Sequence, residues 1–421
     1  MIFNKLIQYR DQNRENIAIL LNYLFVVYIF LLPISTTLMN IVFNIILFFY
    51  LVDGNLKNKI KEAWDNNFIR ALILFYLMHI VWLYGISYNE HAIESVKNSR
   101  YLLYGIIYFT VIRKEFIFKI LNAYLLSIFF SEIVSYLISF QIIAPFNNAT
   151  VDNPVPFVLS HSQYAVYLGL SMGIILYMMF QQHNSKFAKF IYILFFISAT
   201  INIFIIASRL GFILYMANII LIVFYIYRKY LVKAFIIMIL LLSFGYTLAY
   251  QFSNTFNTRV HQLSDNITQL YYNQDYSTSL GVRVGYWIYS YDILKENLLF
   301  GVIGDDYRMM VKENILSSNE NNETKVLLIH SMQNGLHSDF LDIFVKFGFI
   351  GLVLYLNIFY QLYKNFPQNE LFRIVQLLLI ISFFLSGLQG GTLLLRDLGR
   401  LFIILGTLSV IDTRYINSVK R

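Results

Sequence analysis

The chain has 421 residues, 58% of them hydrophobic and only 13% charged, too little charge to clothe a water-soluble protein of that length. Its formal net charge is +8. In so apolar a sequence that excess belongs to loops on one membrane face, and no nucleic-acid partner is expected. The absence of cysteine excludes disulfides and thiolate metal sites.

Apolar runs of roughly 17–25 residues recur along the chain, the length that crosses a bilayer core, whereas β-barrel strands are short and alternating. The expected fold is all-α: a polytopic membrane helical bundle of about 12 transmembrane helices with one large extracytoplasmic helical loop. The first run, Ile17–Pro33, lacks a small-residue cleavage site and is followed at once by another, so it reads as a span. The spans fall near 17–33, 35–52, 68–86, 99–112, 118–139, 162–180, 188–207, 210–227, 232–250, 338–362, 372–393 and 398–412. The link at Ser208 is so tight that its two flanking spans should form a helical hairpin. The chain thus divides into N-terminal spans (1–250), a large outer segment (251–336) and C-terminal spans with a short tail (337–421).

Charge orients the bundle. Alternate loops carry Lys57, Lys59 and Lys61; Arg113, Lys114 and Lys119; Lys186 and Lys189; Arg228, Lys229 and Lys233; and Lys364 and Arg373. By the positive-inside rule these loops, and both basic termini, are cytoplasmic. On the opposite face, 140–160 has no basic residue and contains Pro154 and Pro156, so an ordered non-helical loop is expected. Within the outer segment, Phe256, Val260, Leu263, Ile267 and Leu270 mark an amphipathic helix lying on the membrane or the bundle. A second helix is expected over Val282–Glu296.

The outer-face exceptions to the charge rule are Lys97, Arg100, Arg209, Arg283, Arg308, Arg396 and Arg400. Arginine predominates, and guanidinium grips phosphate oxygens bidentately without losing its charge. Each arginine taken alone has a plainer reading, as a partner of a local carboxylate or a headgroup contact. Arg209, in "IIASRLGFIL", lies at a helix start that Ser208 can cap, beside Gly211, a good anion site. Trp287, four residues beyond Arg283, shares its helix face, and a surface cation–π pair is the plain alternative.

His337 opens a span. Near neutral pH an imidazole can take a proton from a hydroxyl, or it can simply bond lipid or loop backbone. Asp339 cannot orient it within one helix. Asp305 and Asp306 are candidate orienters by segment, and Asp342 is expected to pair with Lys346, four residues on. His161 also starts an outer-side span and is a candidate for the same cavity. His79 is expected to make an interhelical hydrogen bond, and His91, His183, His261 and His330 lie in loops or the outer segment. No histidine pair has metal-ligand spacing, and no HExxH or Walker element is present, so no metal is expected.

Three stretches then carry a resemblance: "ASRLGFIL" (207–214), "RVGYWIYSYDILKENLLFGVIGDDYR" (283–308) and "HSDFLDIFVKFGFIGLVLYL" (337–356). In order and interval, around one large outer loop, they resemble the O-antigen ligase and O-antigen polymerase superfamily of bacterial envelope glycosyltransferases, and most closely the ligase. "NLLFGVIG" departs from that pattern in lacking the usual proline. The resemblance implies that Arg209 and Arg283 bind the diphosphate of an undecaprenyl-diphosphate-linked glycan donor and that His337 activates a hydroxyl of a lipid A–core acceptor. It also implies an inner-membrane enzyme with its site facing the periplasm. Arg100, His161, Trp287 and Arg308 are the accompanying candidates for substrate binding. Because the donor is already activated, no cofactor or nucleotide is implied.

Rival readings differ in testable ways. A polymerase would share the donor site but often has two sizeable arginine-rich outer loops. A protein O-glycosyltransferase usually carries an extra C-terminal soluble domain. A transporter places its charges or broken helices near the midplane, which here reads as apolar.

Overall fold

The computed structural model of the protein describes residues 2–85, 90–147, 149–157, 159–181, 185–206, 208–252, 254–302, 306–332, 335–390 and 393–419. Among the described residues every regular element is a helix. Helix α1 (Ile2–Leu31) turns back into α2 (Thr36–Asp53), which Ser35 caps by accepting from Leu38 N. Helix α3 (Leu56–Asp65) meets α4 (Asn67–Gly85) at a sharp bend, and α5 (Glu90–Ser99) leads through a 3₁₀ turn (Arg100–Leu103) into α6 (Tyr104–Val111). Then come α7 (Ile117–Ser139), α8 (His161–Phe180), α9 (Lys186–Ile205), α10 (Arg209–Ile226) and α11 (Leu231–Phe252). The outer segment is α12 (Asn254–Asn273), α13 (Ser279–Glu296), α14 (Asp306–Ser317) and α15 (Asn322–Ser331). Helices α16 (Asp339–Lys364), α17 (Glu370–Gly387) and α18 (Arg396–Val419) complete the chain.

Among the described residues eight helices are long and apolar enough to cross a membrane, or nine if the α3–α4 pair, bent by 101°, counts as one span. Two of the remaining expected spans, 99–112 and 398–412, differ for physical reasons. Within 99–112 the 3₁₀ turn leaves α6 only 8 residues, about 12 Å of rise against a core of about 30 Å. Helix α18 carries Arg396, Asp397, Arg400 and Asp412, too many charges for a plain span. Helix α11 runs the full length of its expected span, but several of its side chains after Leu240 lie outside the described residues.

The loops read as one face do gather at one end. Arg113 pairs with Glu15 at 2.5 Å, Lys59 with Asp53 at 2.6 Å, Lys114 with Asp412 at 3.5 Å and Arg228 with Glu370 at 3.7 Å. The other end collects His161, Arg209, His337 and the turn before α18. The most enclosed span is α8. Its Gly169 and Gly173 admit Leu214 of α10 and Leu378 of α17 at close range, the small-residue packing that draws membrane helices together. Helices α9 and α10 touch near their turn, where Phe204 meets Phe212 and Tyr215, but they then diverge to clasp α8 instead of running as a simple hairpin. The 140–160 loop is non-helical as expected, pinned where Ser135 Oγ donates to the Pro154 carbonyl at 2.6 Å.

Several polar and charged groups break the expected apolar interior, Glu132 and Arg400 among them. Glu132 of α7 is fully buried and accepts from Ser198 Oγ at 2.6 Å. Arg400, expected at the outer rim, is buried instead. Asp397 lies 3.6 Å away and the Tyr104 ring 5.4 Å away, so the plain reading holds for this arginine. Arg396 likewise pairs with Asp397, at 3.5 Å. His79 bonds the Phe75 carbonyl of its own helix at 2.9 Å, not a neighbouring helix.

The outer segment is joined to the bundle through a break in α16. At Gly348 the backbone leaves the helical region (φ 64°, ψ −164°), freeing amides above and below. The turn after α13 takes them up: Phe349 N donates to the Leu298 carbonyl at 2.8 Å, Ile350 N to Leu299 at 3.3 Å, and Val302 N to the Val345 carbonyl at 2.8 Å. A small core formed by Tyr286, Ile293, Val311, Ile315 and Leu328 runs on into Leu341 and Val345 of α16. A side chain at Gly348 would strike the Leu299 carbonyl and occupy a left-handed φ. Gly348→Ala should therefore cost about 1–3 kcal/mol, read as a lower thermal unfolding midpoint in detergent. An unchanged midpoint would show that this joint does not depend on glycine.

Candidate functional site

Arg209 is the first residue of α10, capped by Ser208, whose Oγ accepts from Gly211 N at 3.3 Å. Gly211 lets α10 approach Ala165 of α8, which places His161 and Arg209 on the same rim. Thr278 caps α13 in the same way by accepting from Gly281 N at 3.0 Å, so α13 begins three residues earlier than expected. Ser279, the first residue of α13, joins the two arginines. Its hydroxyl accepts from Arg209 Nη1 and its carbonyl from Arg283 Nη1, one turn on. Gln262 of α12 accepts from Arg209 Nη2 at 3.2 Å.

Arg283 is half-buried, and its Nε is a buried donor without a hydrogen-bond acceptor among the described residues. Burial, and secondly the Arg209 cation, push the Arg283 guanidinium below its ordinary proton affinity, yet an arginine stays charged. Two like charges within each other's field, one with a spare buried N–H, form an arrangement that an oxyanion relieves.

His337 sits at the bend between the outer segment and α16 with φ +52°, a left-handed conformation that a non-glycine residue holds only where its surroundings enforce it. Two contacts enforce it here. Gly390 (φ +90°) presses against the His337 backbone, where a side chain would collide with its Cα. The preceding turn is held by Asp342, which accepts from Leu336 N at 3.1 Å and from Tyr307 Oη at 3.0 Å. Arg308 Nε donates to the same Tyr307 oxygen at 3.1 Å. Asp342 is thus a scaffold for the turn, not the partner of Lys346, which donates to Ser95 Oγ at 2.6 Å. The exchange has a simple reason: Asp342 faces the small core of the outer segment, while Lys346 points toward α5.

Among the described residues the group that orients the His337 ring is a backbone carbonyl. Nε2 lies 3.0 Å from the Ser331 carbonyl, and because a carbonyl only accepts, that nitrogen carries the proton and Nδ1 keeps the lone pair. Tyr286 stacks on the ring at 5.9 Å and 12° between planes, and its own hydroxyl is anchored at 2.6 Å on the Leu328 carbonyl. Burial first, then the Arg283 cation, push the imidazole below its ordinary 6.5, against the raising effect of the Ser331 bond. The ring is therefore held neutral and able to accept a proton at neutral pH. Asp339 turns away, accepting from Leu393 N at 3.2 Å and Tyr355 Oη at 3.4 Å. Asp305 and the side chain of Asp306 lie outside the described residues.

Of the expected residues, Arg209, Arg283 and His337 come together. Arg308 lies one shell away, behind the His337 turn. Arg100 is exposed at the start of its 3₁₀ turn. Its neighbour Tyr101 donates to the Leu393 carbonyl at 2.5 Å, which puts Arg100 on the same rim but not in the cluster. His161 is exposed at the first turn of α8. Trp287 is 46% exposed and makes no cation–π contact with Arg283 among the described residues; Tyr286, the adjacent residue, is the aromatic that reaches the site. Sequence reasoning passed over Tyr286, Ser279, Gln262 and Ser331. The four-residue step from Ser279 to Arg283 was the one legible signal among them.

Residues 192–356 match the O-antigen ligase family, a stretch that contains Arg209, Arg283 and His337 and leaves Arg100 and His161 outside. The matched stretch is similar to an O-antigen ligase domain. No curated protein sequence matches the chain. The family match supports a membrane enzyme of the O-antigen ligase and polymerase type.

The electrostatic link within this ligase-family site is measurable. The Arg283 cation opposes protonation of His337, so Arg283→Gln should raise the His337 titration midpoint toward its ordinary 6.5. NMR of imidazole-labelled protein reads this directly, and a midpoint that stayed put or fell would contradict the arrangement.

Proposed function

We propose that the protein is an O-antigen ligase of the bacterial inner membrane. It transfers a glycan from undecaprenyl diphosphate to lipid A–core at the periplasmic face. The observation that carries this reading is the pairing of a two-arginine anion site with a neutral imidazole whose Nε2 is committed to the Ser331 carbonyl, so that Nδ1 holds the lone pair.

The residues divide the reaction as follows. The acceptor hydroxyl oxygen attacks the anomeric carbon and its proton passes to His337 Nδ1. The bond from that carbon to the diphosphate oxygen breaks, and the electron pair leaves with the polyprenyl diphosphate. Arg209 and Arg283 meet the charge that builds there. Held in place by Ser279 and Gln262, they need little reorganisation, and such stabilisation in a partly water-excluded site is the larger contribution. Displacement in one step inverts the anomeric configuration. The Ser331 carbonyl favours the imidazolium formed in the reaction by accepting from Nε2–H, the part a carboxylate plays in other catalytic pairs.

The test uses His337→Ala and Arg209→Ala expressed in a strain lacking the native protein, with lipopolysaccharide resolved on a gel. Loss of the base should cut transfer about 10²–10⁴-fold, leaving unmodified lipid A–core while polyprenyl-linked polymer persists. Core bearing a single repeat unit would identify a polymerase instead. Wild-type ladders from both variants would remove these residues from the mechanism.

A further inference from the structure

The outward face of α13 and the chain just beyond it expose six large apolar side chains, Trp287, Ile288, Tyr291, Leu298, Leu299 and Phe300, each 46–63% exposed. In water such a patch invites association, and its position says what covers it. The Leu298 and Leu299 carbonyls are bonded into the break of α16, and the Phe300 carbonyl accepts from Trp82 Nε1 of α4 at 2.7 Å. Directly along α16 from that break, Phe349, Val353, Leu356 and Tyr360 are exposed at helical spacing, and on α4 so are Leu77 and Val81. These are the outward stripes of helices long and apolar enough to cross a membrane, one alone and one within the bent pair. The Leu298–Phe300 tripod therefore continues two lipid-facing surfaces instead of ending in solvent.

We propose that this surface is seated in the outer leaflet of the bilayer. Leu298, Leu299 and Phe300 enter the acyl region, Trp287 and Tyr291 lie at headgroup depth, where amphipathic rings are favoured, and exposed Lys295 reaches the lipid phosphates. The outer segment is thus not a free periplasmic loop but rests on the membrane along α13. One consequence depends on the donor reading above. Arg283 lies one turn before Trp287 on the same helix, so this depth sets its guanidinium near the plane of the headgroup phosphates, where the diphosphate of a polyprenyl carrier lies. A donor diffusing within the leaflet would meet it without leaving the membrane.

The chain has no cysteine, so single cysteines can be spin-labelled specifically. Leu299→Cys and Tyr291→Cys are labelled in the full-length protein in phosphatidylethanolamine–phosphatidylglycerol vesicles. Val353→Cys on the span and Asn319→Cys in the exposed turn before α15 serve as references, and collision with oxygen is compared with collision with a water-soluble nickel chelate. The oxygen-to-nickel ratio at Leu299→Cys should match Val353→Cys and exceed Asn319→Cys severalfold, with Tyr291→Cys in between. Labels at 291 and 299 as open to nickel as at 319, or shielded from both reagents as at a protein–protein contact, would overturn the proposal. The readout involves no turnover, so it is separable from any failure of the ligase reading, and the Val353→Cys spectrum reports whether the bundle remains intact.

Discussion

A membrane helix that breaks must find new partners for the backbone groups it frees, because lipid offers none. The break at Gly348 in α16 is resolved by the stretch from Leu298 to Val302, whose carbonyls and amide replace the missing intrahelical bonds. Much else follows from that joint. It fixes the C-terminal end of α13 against the bundle, and α13 in turn carries Arg283 and Tyr286 toward His337. The outer segment is thereby held in a defined position on the spans, which the proposed site, drawn from α10, α13 and the start of α16, requires.

Electrostatics runs along the same route. Arg209 belongs to the bundle and Arg283 to the outer segment, and Ser279 holds a nitrogen of each. Their mutual repulsion, with the buried Arg283 Nε left over, would cost stability if the site were always empty; an anion that neutralises both converts the strain into affinity. With burial, which is the larger effect, the same Arg283 cation disfavours protonation of His337, so in the proposed mechanism one side chain would serve the leaving group directly and the base at a distance.

Much of the architecture was legible because hydrophobic length and charge alternation are strong signals in membrane proteins. The helices near most expected spans, the collection of basic loops at one end and the cap at Ser208 all follow from residue types in order. What stayed hidden depended on tertiary placement. Residues 99–112 are apolar enough for a span, and only packing shows the 3₁₀ turn that shortens the helix. Asp342 and Lys346 have ideal spacing for an ion pair, but each finds a better partner on another element. Trp287 was the more conspicuous aromatic, yet the helix turns Tyr286 inward. Glu132 gave no periodic signal at all within its span.

The bond from His337 to the Ser331 carbonyl has a further geometric meaning. An imidazole has two usable edges, and this one has surrendered the first to the protein's own backbone. A hydroxyl that gives its proton to the neutral ring must therefore do so at the Nδ1 edge. The constraint comes from a peptide carbonyl, a group that no side-chain substitution at Ser331 removes. One-sided access is therefore built into the path of the main chain, and changing it would require refolding the turn between α15 and α16.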